Sequence, residues 1–169
     1  MNSKYVRPLV FSAMLASVVF IATWIQVPAP LGNVNLGDAA ILLGAWIIGG
    51  PWSIAACALG AALTDLVSGY AIYAPATLLI KALTALVAIS VKGVFGKRRP
   101  FLAYIFSALA AELVMVLGYF LYEGIFLYGF PAAAIAIPFN LVQGAICTAV
   151  ALPISRIFSG MKAFRDVDR

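Results

Sequence analysis

Long apolar runs, separated by short polar or glycine- and proline-rich breaks, set the pattern of this chain. The first run spans about residues 9–27 and ends in Pro28-Ala29-Pro30. A second, 39–49 (within a helix expected at 36–49), stops at Gly49-Gly50-Pro51, and a third follows at 52–68. Two more cover 75–91 and 102–122, and a sixth covers 134–158. Membrane strands would alternate apolar and polar positions over about ten residues. These runs do not alternate, so they predict helices. The predicted fold class is an all-α integral membrane protein, a six-transmembrane-helix bundle forming one domain over residues 1–169. A span needs about 20 residues, which makes the second run short. It must borrow length from Leu36 to Asp38, thin the bilayer locally, or be shielded by its neighbours.

Composition narrows the choice further. Of 169 residues, 64% are hydrophobic and 10% charged, with a mean hydropathy of +1.07. A soluble domain of this size has too little interior for so much apolar surface. A bilayer is itself an apolar solvent, and it requires every backbone amide to be paired within the protein.

The net charge of +5 matters mainly through its placement. Ten of the eleven Lys and Arg residues lie in three clusters at or beyond the ends of the apolar runs. These are Lys4 and Arg7; Lys92, Lys97, Arg98 and Arg99; and Arg156, Lys162, Arg165 and Arg169. Basic loops stay in the cytoplasm, so both termini are expected there. This distribution is a topology signal and not a nucleic-acid surface. Lys4, Arg7 and the first run could also form a secretory signal. The run is long for one and ends in a poor cleavage context, so an uncleaved first span is expected.

Three ionisable residues remain within the runs: Asp65, Lys81 and Glu112. A charge at mid-span costs about 2.5–3.5 kcal/mol on insertion scales, so such groups face the bundle interior and find partners. In an antiparallel hairpin, residues equidistant from the turn lie at one depth. Turns near Tyr73, Gly96 and Phe126 then place Asp65, Lys81, Glu112 and Asn140 in one layer. Helical spacing groups Thr77, Lys81 and Thr84; Glu112, Tyr119, Tyr122 and Glu123; and Asn140, Gln143 and Cys147. The layer could be a structural ion-pair network with Asp65 holding Lys81. Topped by Tyr70, Tyr73, Tyr119 and Tyr122, it reads better as a ligand pocket.

Other chemistry finds little support. Histidine is absent, which removes the commonest general base and metal ligand. Gly96-Lys97 lacks the rest of a phosphate loop, and no serine sits in a Gly-x-Ser-x-Gly elbow. No catalytic residue, metal site or cofactor is expected. Cys57 and Cys147 are isolated small hydrophobes, and Trp24, Trp46 and Trp52 are read as interface anchors. The main rival function is a self-sufficient secondary carrier or channel; an intramembrane enzyme is a weaker one.

Four motifs together resemble a known family. They are Asn35-Leu36-Gly37-Asp38, Gly49-Gly50-Pro51, DLVSGYAIYAPATLLIKAL from Asp65, and IPFNLVQG from Ile137. In order and spacing the chain resembles the substrate-binding S components of energy-coupling factor (ECF) vitamin transporters, nearest the riboflavin, pyridoxine and hydroxymethylpyrimidine branch. The resemblance implies a multi-pass subunit of a prokaryotic cell membrane that captures a vitamin from outside. Its partners would be a transmembrane coupling subunit and two ATPase subunits, which bind the ATP that this chain does not. A B6 vitamer or hydroxymethylpyrimidine is favoured; riboflavin and thiamine also belong to the range. Substrate contacts are expected from Lys81, Glu112, Asn140, Tyr70, Tyr73, Thr77, Tyr119 and Tyr122, supported by Asp65, Asn35, Asp38 and Gln143. The family's small-residue docking pattern on helix 1 is matched by Ser12-x-x-x-Ala16 and Ala13-x-x-x-Ser17.

The charge pattern has a direct test. A cysteine placed at Ala71 should react with an impermeant reagent added outside, and one at Gly96 should not. The reverse pattern refutes the orientation.

Overall fold

The structure is a computed structural model describing residues 3–29, 33–96 and 100–159. The basic residues 97–99 and those after Ser159 lie outside this set, as do the side chains of Lys4 and Arg7. Helix α1 spans Ser3–Trp24, α2 Gly37–Ile47, α3 Gly50–Val67, α4 Ala74–Gly96 and α5 Pro100–Tyr122. A π-helical turn, Glu123–Leu127, extends α5. A short α6 (Phe130–Ala133) and a 3-10 turn then lead into α7, Ile137–Ser159. Four segments are long and apolar enough to cross a membrane: Gly50–Val67, Ala74–Gly96, Phe101–Leu127 and Phe130–Phe158. Shorter apolar helices cover Pro8–Trp24 and Gly37–Ile47.

The segment read as a loop before α2 contains a small hairpin instead. Strand β1 (Gln26–Pro28) pairs antiparallel with β2 (Asn33–Asn35), placing Gln26 opposite Asn35 and Pro28 opposite Asn33. Its backbone groups are thereby paired just beyond the end of α1, where an open loop would leave them unsatisfied.

Shielding by neighbours accounts for the short second helix. At 1.5 Å per residue, the 11 residues of α2 reach only about 16 Å. The helix is wrapped by α1, α3, α4 and α7, and nine of its residues are buried. One face packs Ala40 and Ile41 against Leu15, Val19, Cys57 and Ala61. Another packs Ala39, Leu42 and Trp46 against Ala88, Ala108, Ala111 and Cys147. Most of these partners are small, which allows close helix approach where lipid offers no hydrophobic drive to association. Large apolar side chains such as Leu79, Leu109 and Val94 point outward, as a lipid-facing surface requires. Gly49 and Gly50, at φ 67° and 68°, turn the chain from α2 into α3 in a region that suits only glycine.

Trp46 is not an interface anchor. It is 4% exposed, and its indole N–H donates to Ser107 Oγ at 2.8 Å; Trp24 and Trp52 are about half exposed. Helix α1 also separates the two small-residue pairs. Ser12 is buried and Ala16 packs toward α3, while Ala13 and Ser17 are exposed. The Ser12/Ala16 pair therefore belongs to the bundle interior.

The α1–α3 contact is closest at Gly60. A Cβ there would lie 2.5 Å from the Ala16 carbonyl oxygen and 3.0 Å from Val19 Cβ. Because the first obstacle is backbone, Gly60→Ala should destabilise the bundle by about 1–3 kcal/mol, seen as a lower melting temperature in detergent. An unchanged melting temperature would mean that this contact can relax.

Candidate functional site

The polar side chains of the spans form a connected network around Asp38, which is fully buried. Lys81 Nζ on α4 lies 2.6 Å from Asp38 Oδ1 and is itself 3% exposed. Gln143 Nε2 on α7 donates to Asp38 Oδ2, also at 2.6 Å. The amide oxygen of Gln143 accepts from the Asn35 backbone N–H at 2.8 Å, and Asn35 Oδ1 accepts from the Gly37 N–H at 2.9 Å. One carboxylate at the start of α2 thus joins α4, α7 and the hairpin. The Lys81 ammonium also lies 5.2 Å from the Tyr119 ring centroid on α5.

This geometry corrects the expected pairing, because Lys81 is held by Asp38 and not by Asp65. Hairpins of consecutive long helices fix relative depth only for α3, α4, α5 and α7. They therefore leave out α2, whose first turn reaches the same buried layer. Glu112 is buried as well, pressed against Gly144, and neither of its carboxyl oxygens has a hydrogen-bond partner.

Beside the network a polar cavity opens at one end of the bundle. Of the expected contacts it brings together Tyr70, Tyr73, Thr77, Tyr119 and Asn140, with Asp65, Asn35 and Gln143. Lys81, Glu112, Asp38 and Tyr122 are not among the lining residues. The first three lie in the bundle interior, and the Tyr122 hydroxyl donates to the Ile72 carbonyl at 2.5 Å. The cavity is also wider than a cleft between α4, α5 and α7, since Thr23, Gln26 and Asn33 supply a further wall and Glu123 another. The period-two alternation Asn33-Val34-Asn35 was the available sign of the hairpin wall. Glu123 was visible on the α5 stripe but carried no distinct signal.

Hydrogen bonds cross between the walls. Thr77 Oγ1 and the Tyr119 hydroxyl are 3.0 Å apart. Tyr73, in the turn before α4, has its hydroxyl 3.3 Å from both Glu123 Oε1 and the Tyr128 hydroxyl. Burial, with Tyr128 and the Glu123 carboxylate nearby, pushes the Tyr73 hydroxyl well above its ordinary range, so it remains a donor. Edge-on ring contacts of Tyr73 with Tyr70 and Tyr122, at 6.4 and 5.8 Å, complete an aromatic cover. Among the described residues no group of three or more His, Cys, Asp or Glu side chains could hold a metal ion. The cavity wall offers hydroxyl, amide and carboxylate groups together with aromatic faces.

The fold and the cavity define an integral membrane helical bundle with an amide-, carboxylate- and tyrosine-lined opening at one end. Residues 3–159 match the model of the ECF-type riboflavin transporter S component family, and the chain belongs to that family. A solved structure titled as that of the S component of a bacterial ECF transporter shares the fold, with a TM-score of 0.72. It is 23% identical, and the match covers 90% of this chain and 95% of that one. No curated protein matches the chain significantly. The protein is thus an integral membrane, substrate-binding subunit of an ECF transporter, in a family of transport components and not of enzymes.

Breaking a buried ion pair from one side leaves an uncompensated charge, at a cost of about 3–5 kcal/mol. Lys81→Met should therefore destabilise the protein strongly, and Lys81→Met combined with Asp38→Asn should recover much of the loss. Denaturation in detergent would check this. Equal loss in the single and double variants would deny the coupling.

Proposed function

We propose that the chain captures an unphosphorylated, hydroxylated nitrogen-heteroaromatic vitamin from outside a prokaryotic cell, for ATP-driven uptake. The observation that carries this reading is the cavity wall. Tyrosines offer ring contacts, and Asn33 and Asn140 offer paired amide donors and acceptors. No Lys or Arg is among the lining residues, and the nearby Lys81 is committed to Asp38. A phosphate would enter such a site without a counter-charge, so unphosphorylated forms are preferred. Single-ring compounds of the B6 or hydroxymethylpyrimidine type suit a cavity crossed by the Thr77–Tyr119 and Tyr73–Glu123 bonds. Riboflavin is the second reading, favoured by the name of the matching family model.

In this reading the chain crosses the membrane six times with both ends in the cytoplasm. It docks on a module of one transmembrane coupling subunit and two ATPases. The exposed Ala13 and Ser17 of α1 are the small residues available to that partner, while Ser12 and Ala16 serve internal packing.

Native mass spectrometry of the purified protein should reveal a co-purifying unphosphorylated vitamin, and titration should rank pyridoxine, hydroxymethylpyrimidine and riboflavin. Uptake in cells should require the ATPase module. Concentrative uptake without that module would favour a self-sufficient carrier, and preferential binding of a phosphorylated vitamer would overturn the ligand class.

A further inference from the structure

Two carboxylate oxygens at the cavity wall have no partner within the protein. Glu123 is 3% exposed. Its Oε1 meets the Tyr73 hydroxyl, while Oε2 is buried and unbonded. Asp65 Oδ2 is likewise buried and unbonded. Both residues line the cavity, Asp65 from the last turn of α3 and Glu123 from the turn that extends α5. Buried acceptors without donors are costly, and charged ones more so. No cation of the cavity wall is available to satisfy them, because the wall includes no Lys or Arg.

We infer that Asp65 and Glu123 determine specificity, each accepting a hydrogen bond from the bound ligand. The inference rests on the reading of this cavity as the vitamin site, and it names what the vitamin must carry. The ligand presents two donor groups on separate edges, drawn from hydroxyl, amino, ring N–H or protonated ring nitrogen. Two carboxylates on a wall that holds no Lys or Arg also favour a ligand that can bind with a positive ring and repel one bearing phosphate or carboxylate. Glu123 has a double task, since its other oxygen holds Tyr73 in the loop that covers the cavity. A donor bound at Oε2 fixes the same carboxylate that the loop needs.

The test is titration calorimetry on the full chain in detergent. The probes are pyridoxine, hydroxymethylpyrimidine and riboflavin, each paired with an analogue in which one donor is methylated or removed. Wild-type protein should prefer the donor-bearing member of a pair by about tenfold or more, the value of a hydrogen bond to a charged group. Glu123→Gln offers one acceptor oxygen where two are needed, so Tyr73 and ligand compete for it; Asp65→Asn loses an acceptor similarly. Each variant should weaken binding of the donor-bearing ligand and leave its analogue little changed, erasing the preference at one donor position. A folding defect would weaken both members equally, and that outcome counts against the inference. Undiminished preference in both variants overturns it while leaving the vitamin reading intact. Wild-type protein that binds none of the three vitamins overturns the vitamin reading and this inference with it.

Discussion

The bundle is organised around a carboxylate that has almost no water. Asp38 is fully buried at the start of α2, and both of its oxygens are engaged, one by Lys81 and one by Gln143. Ion pairs in a low-dielectric interior contribute only when their geometry is good and the remaining lone pairs are satisfied. Here the second oxygen takes the Gln143 amide, whose other end holds the Asn35 backbone. The result ties three helices and the hairpin to one point. It also fixes the register of α2, which is too short to be held by lipid matching.

From that point the cavity follows. Committing Lys81 to Asp38 leaves the wall without a free cation, and committing Gln143 and Asn35 brings the hairpin against α7. Tyr73, Tyr70 and Tyr122 then cover the end of the bundle where α4 begins and α5 ends. The Lys81–Asp38 pair lies in the bundle interior and a separate set of polar groups lines the cavity wall, a division that a single polar layer would not show. Buried polar networks of this kind specify one arrangement because a half-satisfied alternative is worse than none.

Helix α1 separates packing from exposure in the same way. Ser12 and Ala16 face inward, where Gly60 lets α3 approach the Ala16 carbonyl. Ala13 and Ser17 present a small-residue face outward. Residues one position apart on a helix point about 100° apart, so two overlapping small-xxx-small pairs meet different surroundings. Only their neighbours in space distinguish them.

The sequence by itself determined that the chain is a helical membrane bundle, that breaks fall near Gly49-Gly50 and before Pro100, and that Lys81 and Glu112 had to turn inward. These follow from the cost of unpaired backbone and charge in an apolar solvent, which acts locally and is legible residue by residue. The resemblance carried by its motifs also pointed to the S-component family. Tertiary structure decided the rest. Whether Lys81 pairs with Asp38 or Asp65 depends on how a short helix sits among four others. Whether Glu112 or Glu123 reaches the cavity depends on which side of the α5 stripe opens onto it. The hairpin wall of Gln26 and Asn33 arises from three-residue strands, whose alternation at Asn33-Val34-Asn35 is too brief to identify the partner strand. Pairings between distant segments are set by three-dimensional packing, and hydropathy along the chain carries no record of them.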